Sequence, residues 1–76
     1  MSYEISTLMN KTKDKVVKIK LRNTKTIQGI LKEFDIHMNL TLEDAEDVSA
    51  EKPEKLGKIL LRGDNILVIS VSKGES

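Results

Sequence analysis

The chain has no cysteine, which excludes disulfides and cysteine-ligated zinc alike. Its one histidine, His37, has no second imidazole to share an ion with, so no metal site of the usual nitrogen and sulfur ligands is expected, and no cofactor is implied. Long apolar runs are also lacking. One of the strongest, Ile66–Val71, falls far short of the roughly 20 residues that span a bilayer, so no membrane association is expected. Residues 1–7 carry Glu4 and have neither the basic start nor the apolar stretch of a secretory signal, which makes the cytoplasm the expected location. Charge of one sign is scarce as well. Thirteen basic residues against twelve acidic leave +1, too little to draw nucleic acid to the whole surface, so any such affinity must be local.

At 76 residues and 38% hydrophobic content, the chain is expected to form one small domain over 1–76. A chain of this length buries only about 60% of its unfolded surface. With disulfides and metal excluded, oligomerisation is the natural supplement to so small a core.

Ile5, Leu8 and Met9 recur at helical spacing, which predicts a two-turn amphipathic helix at about 4–11 that needs a surface to lie on. Val17, Ile19 and Leu21 then alternate with Lys18, Lys20 and Arg22, the period of a half-buried strand, and 23–25 read as a turn. Next comes a change of parity. Ile27, Gly29 and Leu31 are odd, whereas Phe34, Ile36, Met38, Leu40 and Leu42 are even. A flat strand cannot change face in this way. A bulge or sharp bend is expected at Lys32 and Glu33, with Gly29 letting the backbone curl just before it, as in a small closed barrel. The acid-rich stretch 43–47 reads as the solvent-tolerant end of a third strand. Gly57 opens a fourth apolar run, and Asp64 and Asn65 read as a tight turn between the last two strands, which would make them a hairpin. The expected fold is mostly β: a short N-terminal helix followed by a five-stranded, strongly bent antiparallel SH3-like barrel over about 15–73.

The groups that enzymes pair for chemistry are missing. Asp35 and His37, two apart, could pass for a base and its orienting acid, and Ser70 and Ser72 for nucleophiles, but the serines alternate with Ile69 and Val71 as solvent-facing strand residues do. No catalytic residue is expected, and the chain is read as not an enzyme.

Two segments suggest binding. In FDIHMNL, Asp35, His37 and Asn39 alternate with Phe34, Ile36, Met38 and Leu40, a polar triplet on an apolar base. An imidazole can stack on a base, and an asparagine amide offers donors and an acceptor that suit a pyrimidine edge. The same residues also fit a plain surface loop in which Asp35 caps the turn. In LLRGDN, Arg62 precedes Gly63, read as the start of a turn with unusual backbone angles. Arg62 fits either a solvated charge or a guanidinium poised to stack on a base or meet a phosphate.

Taken together, the two segments resemble the bipartite signature of the Sm and Sm-like (LSm) family over about 16–71. The first part resembles it in Gly29, Phe34, Asp35, His37, Met38, Asn39 and the acid-bearing strand that follows; the second in an apolar pair followed by Arg62, Gly63, Asp64 and Asn65. The resemblance implies that a uracil lies between His37 and Arg62, that Asn39 hydrogen-bonds its edge, that Asp35 orients Asn39, and that Gly63 and Asp64 complete the pocket. It further implies free edges on the last two strands, which pair between copies into a homo-oligomeric ring binding single-stranded U-rich RNA around a central pore. Seven identical copies are implied for an archaeal member, and mixed rings for eukaryotic ones. The bacterial Hfq relatives, with six copies, carry a different second motif, and Arg62-Gly63 points away from them. Other Sm-like chains or RNA-processing proteins would be further partners. Abundant Lys, Glu and Ile with few aromatics fit an archaeal source. Two rival readings are a ring that acts only as a protein-interaction scaffold and a monomeric SH3-like barrel.

Overall fold

A computed structural model describes residue 7 and residues 9–71. Five strands follow in order: β1 (Val16–Leu21), β2 (Thr26–Phe34), β3 (Leu40–Asp47), β4 (Glu54–Leu61) and β5 (Ile66–Val71). Residues 7 and 9–12 are helical; Ile5 and Leu8, which the expected helix also included, lie outside the described residues, as does the expected barrel end beyond 71. Met9 anchors the helix by burying its side chain in the core.

Alternation in β1 does what its pattern predicts: Val17, Ile19 and Leu21 are buried, while Lys18 and Lys20 face water. β2 buries Ile27, Gly29 and Leu31, and its register against β3 shifts between Leu31 and Glu33, at the parity change in the sequence. A second shift, between Gln28 and Ile30, brackets Gly29, where a Cβ would stand 3.1 Å from the Ala45 Cα; the missing side chain lets β3 cross closely. β3 has its own irregularity. Asp44 takes a φ of 53° in the register shift just before Ala45 pairs with Gly57, whose φ is 76°, and the inward parity passes from Leu40 and Leu42 to Ala45 and Asp47. Asp47 is therefore not the solvent-facing acid expected of this stretch. It is buried, its carboxylate accepting from the Ser49 N–H at 3.0 Å, the Ser49 hydroxyl and the Lys25 ammonium at 3.3 Å. These donors hold its carboxyl below the ordinary carboxylate range, the Ser49 hydroxyl contributing most.

The last two strands depart from the sequence expectation. β4 begins at Glu54, ahead of Gly57, and it does not form a hairpin with β5: the sheet order is β4-β3-β2-β1-β5, so these strands are its two edges. The physical reason lies in the link. A two-residue hairpin of the favoured kind needs positive φ in its centre, and none of residues 62–65 has it. Instead Gly63–Asn65 forms a 3-10 turn, with Asn65 N–H donating to the Arg62 carbonyl at 3.1 Å, and the chain crosses from one edge of the sheet to the other. The bent sheet encloses a core in which Val17, Ile19, Leu31, Leu40 and Leu42 are fully buried. Each such side chain contributes on the order of 1.5–3 kcal/mol of transfer free energy.

Candidate nucleic-acid interface

Two loops meet at one end of the sheet: 35–39, between β2 and β3, and 62–65, between β4 and β5. In the first, one carboxylate oxygen of Asp35 accepts from the backbone N–H of His37 at 2.9 Å and of Asn39 at 3.0 Å, the local bonding by which aspartate shapes turns. Met38 has a φ of 63°, unfavourable for a side chain of its kind, and its packing against the core offsets that strain. The loop is thus not the alternating strand that its sequence suggests. Ile36 is no part of an apolar base; it is 90% exposed at the loop tip.

Asn39 joins the two loops. Its Nδ2 donates to the other Asp35 oxygen at 3.0 Å, and its Oδ1 accepts from the Gly63 backbone N–H at 2.7 Å. A carboxylate can only accept and a backbone N–H can only donate, so the amide has one orientation. One Nδ2–H and one Oδ1 lone pair are left over. Gly63 is required here for a different reason from the one expected. Its φ is not positive, but a Cβ at this position would lie 1.9 Å from the His37 carbonyl oxygen. Glycine is needed because the two backbones touch.

His37 and Arg62 are exposed and, with Asp35, Asn39, Asp64 and Leu60, line an open depression of about 650 Å³. Arg62 is 3.5 Å from the Asp64 carboxylate, but both side chains are largely in water, so this pair holds the guanidinium only weakly. All six residues singled out in the sequence, Asp35, His37, Asn39, Arg62, Gly63 and Asp64, are therefore brought together. Two neighbours were missed. Leu60 follows Ile59 and precedes Leu61, and in an alternating strand the middle of three apolar residues faces outward; that signal was present in the sequence. Arg22 braces the second loop, its Nε donating to the Asp64 carbonyl at 2.7 Å and its N–H to the Asn65 carbonyl at 2.9 Å, a long-range contact that no local pattern announces.

The Asn39 bonds hold the Asp35 carboxyl below the ordinary carboxylate range, with help from the His37 N–H. A carboxylate whose pKa is lower folded than unfolded contributes stability above its unfolded value, and that contribution is lost as pH falls through the lower, folded value. The Asn39 side-chain amide resonances are thus expected to hold steady as pH falls through the usual aspartate range and to move only below it. A midpoint at or above the ordinary value in an NMR titration would show that the carboxylate does not hold the amide.

Among the described residues no helix is long and apolar enough to cross a membrane, and no cluster of His, Asp and Glu could hold a metal. The LSM domain family model matches residues 7–71. Among curated proteins, the chain is 38% identical over 64 residues to an snRNP Sm-like protein of Methanosarcina barkeri, covering 83% of this chain and 89% of that one. It is 41% identical over 64 residues to one of Thermococcus kodakarensis, with 83% and 84% covered. Among solved structures, the P. aerophilum SmAP1 heptamer superposes with a TM-score of 0.88 at 40% identity, covering 92% of this chain and 95% of that one. A Pyrococcus abyssi Sm protein in complex with a uridine heptamer does so with 0.82 at 35%, covering 88% and 96%. Sm-like proteins are scaffolds and not enzymes, in agreement with the absence of paired catalytic groups noted in the sequence. A match over most of the chain, to a family whose two sequence segments meet here at Asn39 and Gly63, shows that the chain belongs to the LSM domain family, with a likeness to archaeal Sm-like proteins.

Proposed function

We propose that this protein forms a ring, of seven identical copies, that binds U-rich single-stranded RNA in repeated pockets built from His37, Asn39 and Arg62, and serves as a scaffold in RNA processing or as an RNA chaperone. The observation that carries this reading is the single orientation of the Asn39 amide between Asp35 and Gly63. Uracil presents an N3–H beside a carbonyl oxygen, which complements the spare Oδ1 lone pair and Nδ2–H. Cytosine presents an acceptor and a donor in the opposite order, and an amide tied at both ends cannot flip to suit it. His37 and Arg62 supply the two stacking faces, Gly63 and Asp64 the floor. The uridine heptamer bound by the P. abyssi protein and the heptameric archaeal relatives support the same reading, as do the two free sheet edges of the protomer.

Stacking of one base is worth roughly 1–3 kcal/mol, too little alone. Seven copies of a +1 chain carry only about +7. Repetition of the pocket is therefore what would confer affinity. In a titration at fixed salt, oligo-uridine is expected to bind more tightly than oligo-cytidine, and His37→Ala or Arg62→Ala to weaken oligo-uridine at least ~5-fold with the ring intact. Equal affinity for the two homopolymers, or no loss in either variant, would leave the protein as an interaction scaffold only.

A further inference from the structure

Net charge hides a strong separation of sign. Between positions 11 and 25 every charged residue except Asp14 is Lys or Arg; between 33 and 54 every one except Lys52 is Asp or Glu. The sheet gives the basic half a defined face. Lys18 and Lys20 project outward from β1, and Lys18 is flanked directly by Gln28 of β2 and Ser70 of β5, Lys20 by Thr26 and Val68. Lys18, Gln28 and Ser70 line a shallow depression of about 340 Å³ together with Val16 and Val71. The nearest acid on that row is Glu46, one strand beyond Gln28.

This face is continuous with the base pocket. From Lys18 and Lys20 of β1 the chain runs on to Arg22, just past the end of the strand, whose guanidinium donates to the Asp64 carbonyl in the pocket loop. Arg22 and Asn23 share with Leu60 and Arg62 a second depression, of about 370 Å³, which abuts the pocket at those last two residues. Lys18 and Lys20 stand ~7 Å apart along the strand, on the order of the spacing of successive phosphates in an extended single strand. Ammonium, amide and hydroxyl groups in a row are what proteins use on phosphate and sugar. A protein-binding face would instead be depleted in lysine and richer in aromatic side chains.

We infer that Arg22 and the outer face of β1 at Lys20 and Lys18, with Gln28 and Ser70, form a sequence-independent track for the phosphates of single-stranded RNA that extends beyond the base pocket. The track rests on the RNA-binding reading of that pocket and deepens it. RNA too short to leave the pockets does not use the track; longer RNA does.

The test compares heptauridine with oligo-uridine of about 30 nucleotides, each titrated over a series of salt concentrations against the intact protein and against a Lys18→Gln, Lys20→Gln double variant. Both lysines are exposed, so the fold does not depend on them. Heptauridine affinity is expected to be unchanged. Affinity for the long RNA is expected to fall at least ~10-fold at low salt, its log-log salt slope becoming shallower by about 0.7 for each phosphate that the variant no longer neutralises. A Lys18→Arg, Lys20→Arg variant restores both. Superimposable long-RNA isotherms for all three proteins would overturn the track, as would a loss that arginine does not restore. Unchanged RNA binding with altered salt-dependent association between rings, read by sedimentation, would also overturn it and assign the face to a second copy's acidic segment. Failure of the pocket reading is a separate result: heptauridine would not bind the unaltered protein, while the long-RNA comparison would still report on the lysines.

Discussion

Gly63→Ala is expected to abolish oligo-uridine binding and to destabilise the protomer by ~2–4 kcal/mol, more than any surface substitution in the pocket. The new methyl group would start 1.9 Å from the His37 carbonyl oxygen, a backbone atom that no rotamer change can remove. Either loop 35–39 or loop 62–65 must move. Whichever does, the bond from Gly63 N–H to Asn39 Oδ1 is broken, the amide regains its freedom to flip, and His37 and Arg62 part. Gly57→Ala is the matched control: its φ of 76° is strained for alanine, but nothing lies within 4 Å of its Cβ position, so a cost of ~1–2 kcal/mol with unchanged binding is expected. Chemical denaturation and a uridine titration on both variants decide the matter. Wild-type affinity and midpoint in Gly63→Ala would mean that the contact between the two loops is not what forms the pocket.

The second large effect concerns the sheet edge. Leu67 on β5 is 54% exposed and, with Met9, Ile66 and Ile69, lines an apolar groove of about 330 Å³ beside that free edge. Leu67→Asp leaves the core of a single protomer untouched but sets an unpaired carboxylate where a neighbouring strand would pack, at a desolvation cost of several kcal/mol. Sedimentation is expected to find protomers in place of rings. Long oligo-uridine affinity is expected to drop by ~10² to 10⁴, the avidity that linked pockets supply. A variant that still sediments as a ring would exclude this edge from assembly, and a dissociated variant with full affinity would exclude avidity.

The parts of this fold that the sequence shows are those set by local period. The alternation of Val17, Ile19 and Leu21 places β1, and the parity change at Lys32 and Glu33 locates the bend of β2, because side-chain direction in a strand depends only on neighbours along the chain. Pairing between distant strands is not local, and there the reading failed. Asp64 and Asn65 carry ordinary turn chemistry that fits a hairpin equally well, and only the full sheet shows β5 beside β1. Ile36 and Asp47 misled for a related reason: a left-handed Met38 and a left-handed Asp44 each reset the period within a few residues; methionine does not advertise that conformation, and Asp44 is one of several acids in its segment, any of which could have taken it. The six residues of the proposed pocket were read as members of two motifs, but what brings them together was not legible. Gly63 looked like a residue of unusual backbone angle and is one of close approach, a property of the loop it faces and not of its own segment.

Residues 62–65 connect β4 to β5 and so join the two edges of the sheet, while Gly63 among them ties loop 62–65 to Asn39 and closes the proposed base pocket. In the proposed ring, contact with a neighbour on either side and contact with a nucleotide would thus be written in the same few backbone dihedrals. By thermodynamic reciprocity, whatever ring closure does to the affinity of the pocket, an occupied pocket does in equal measure to the closure of the ring.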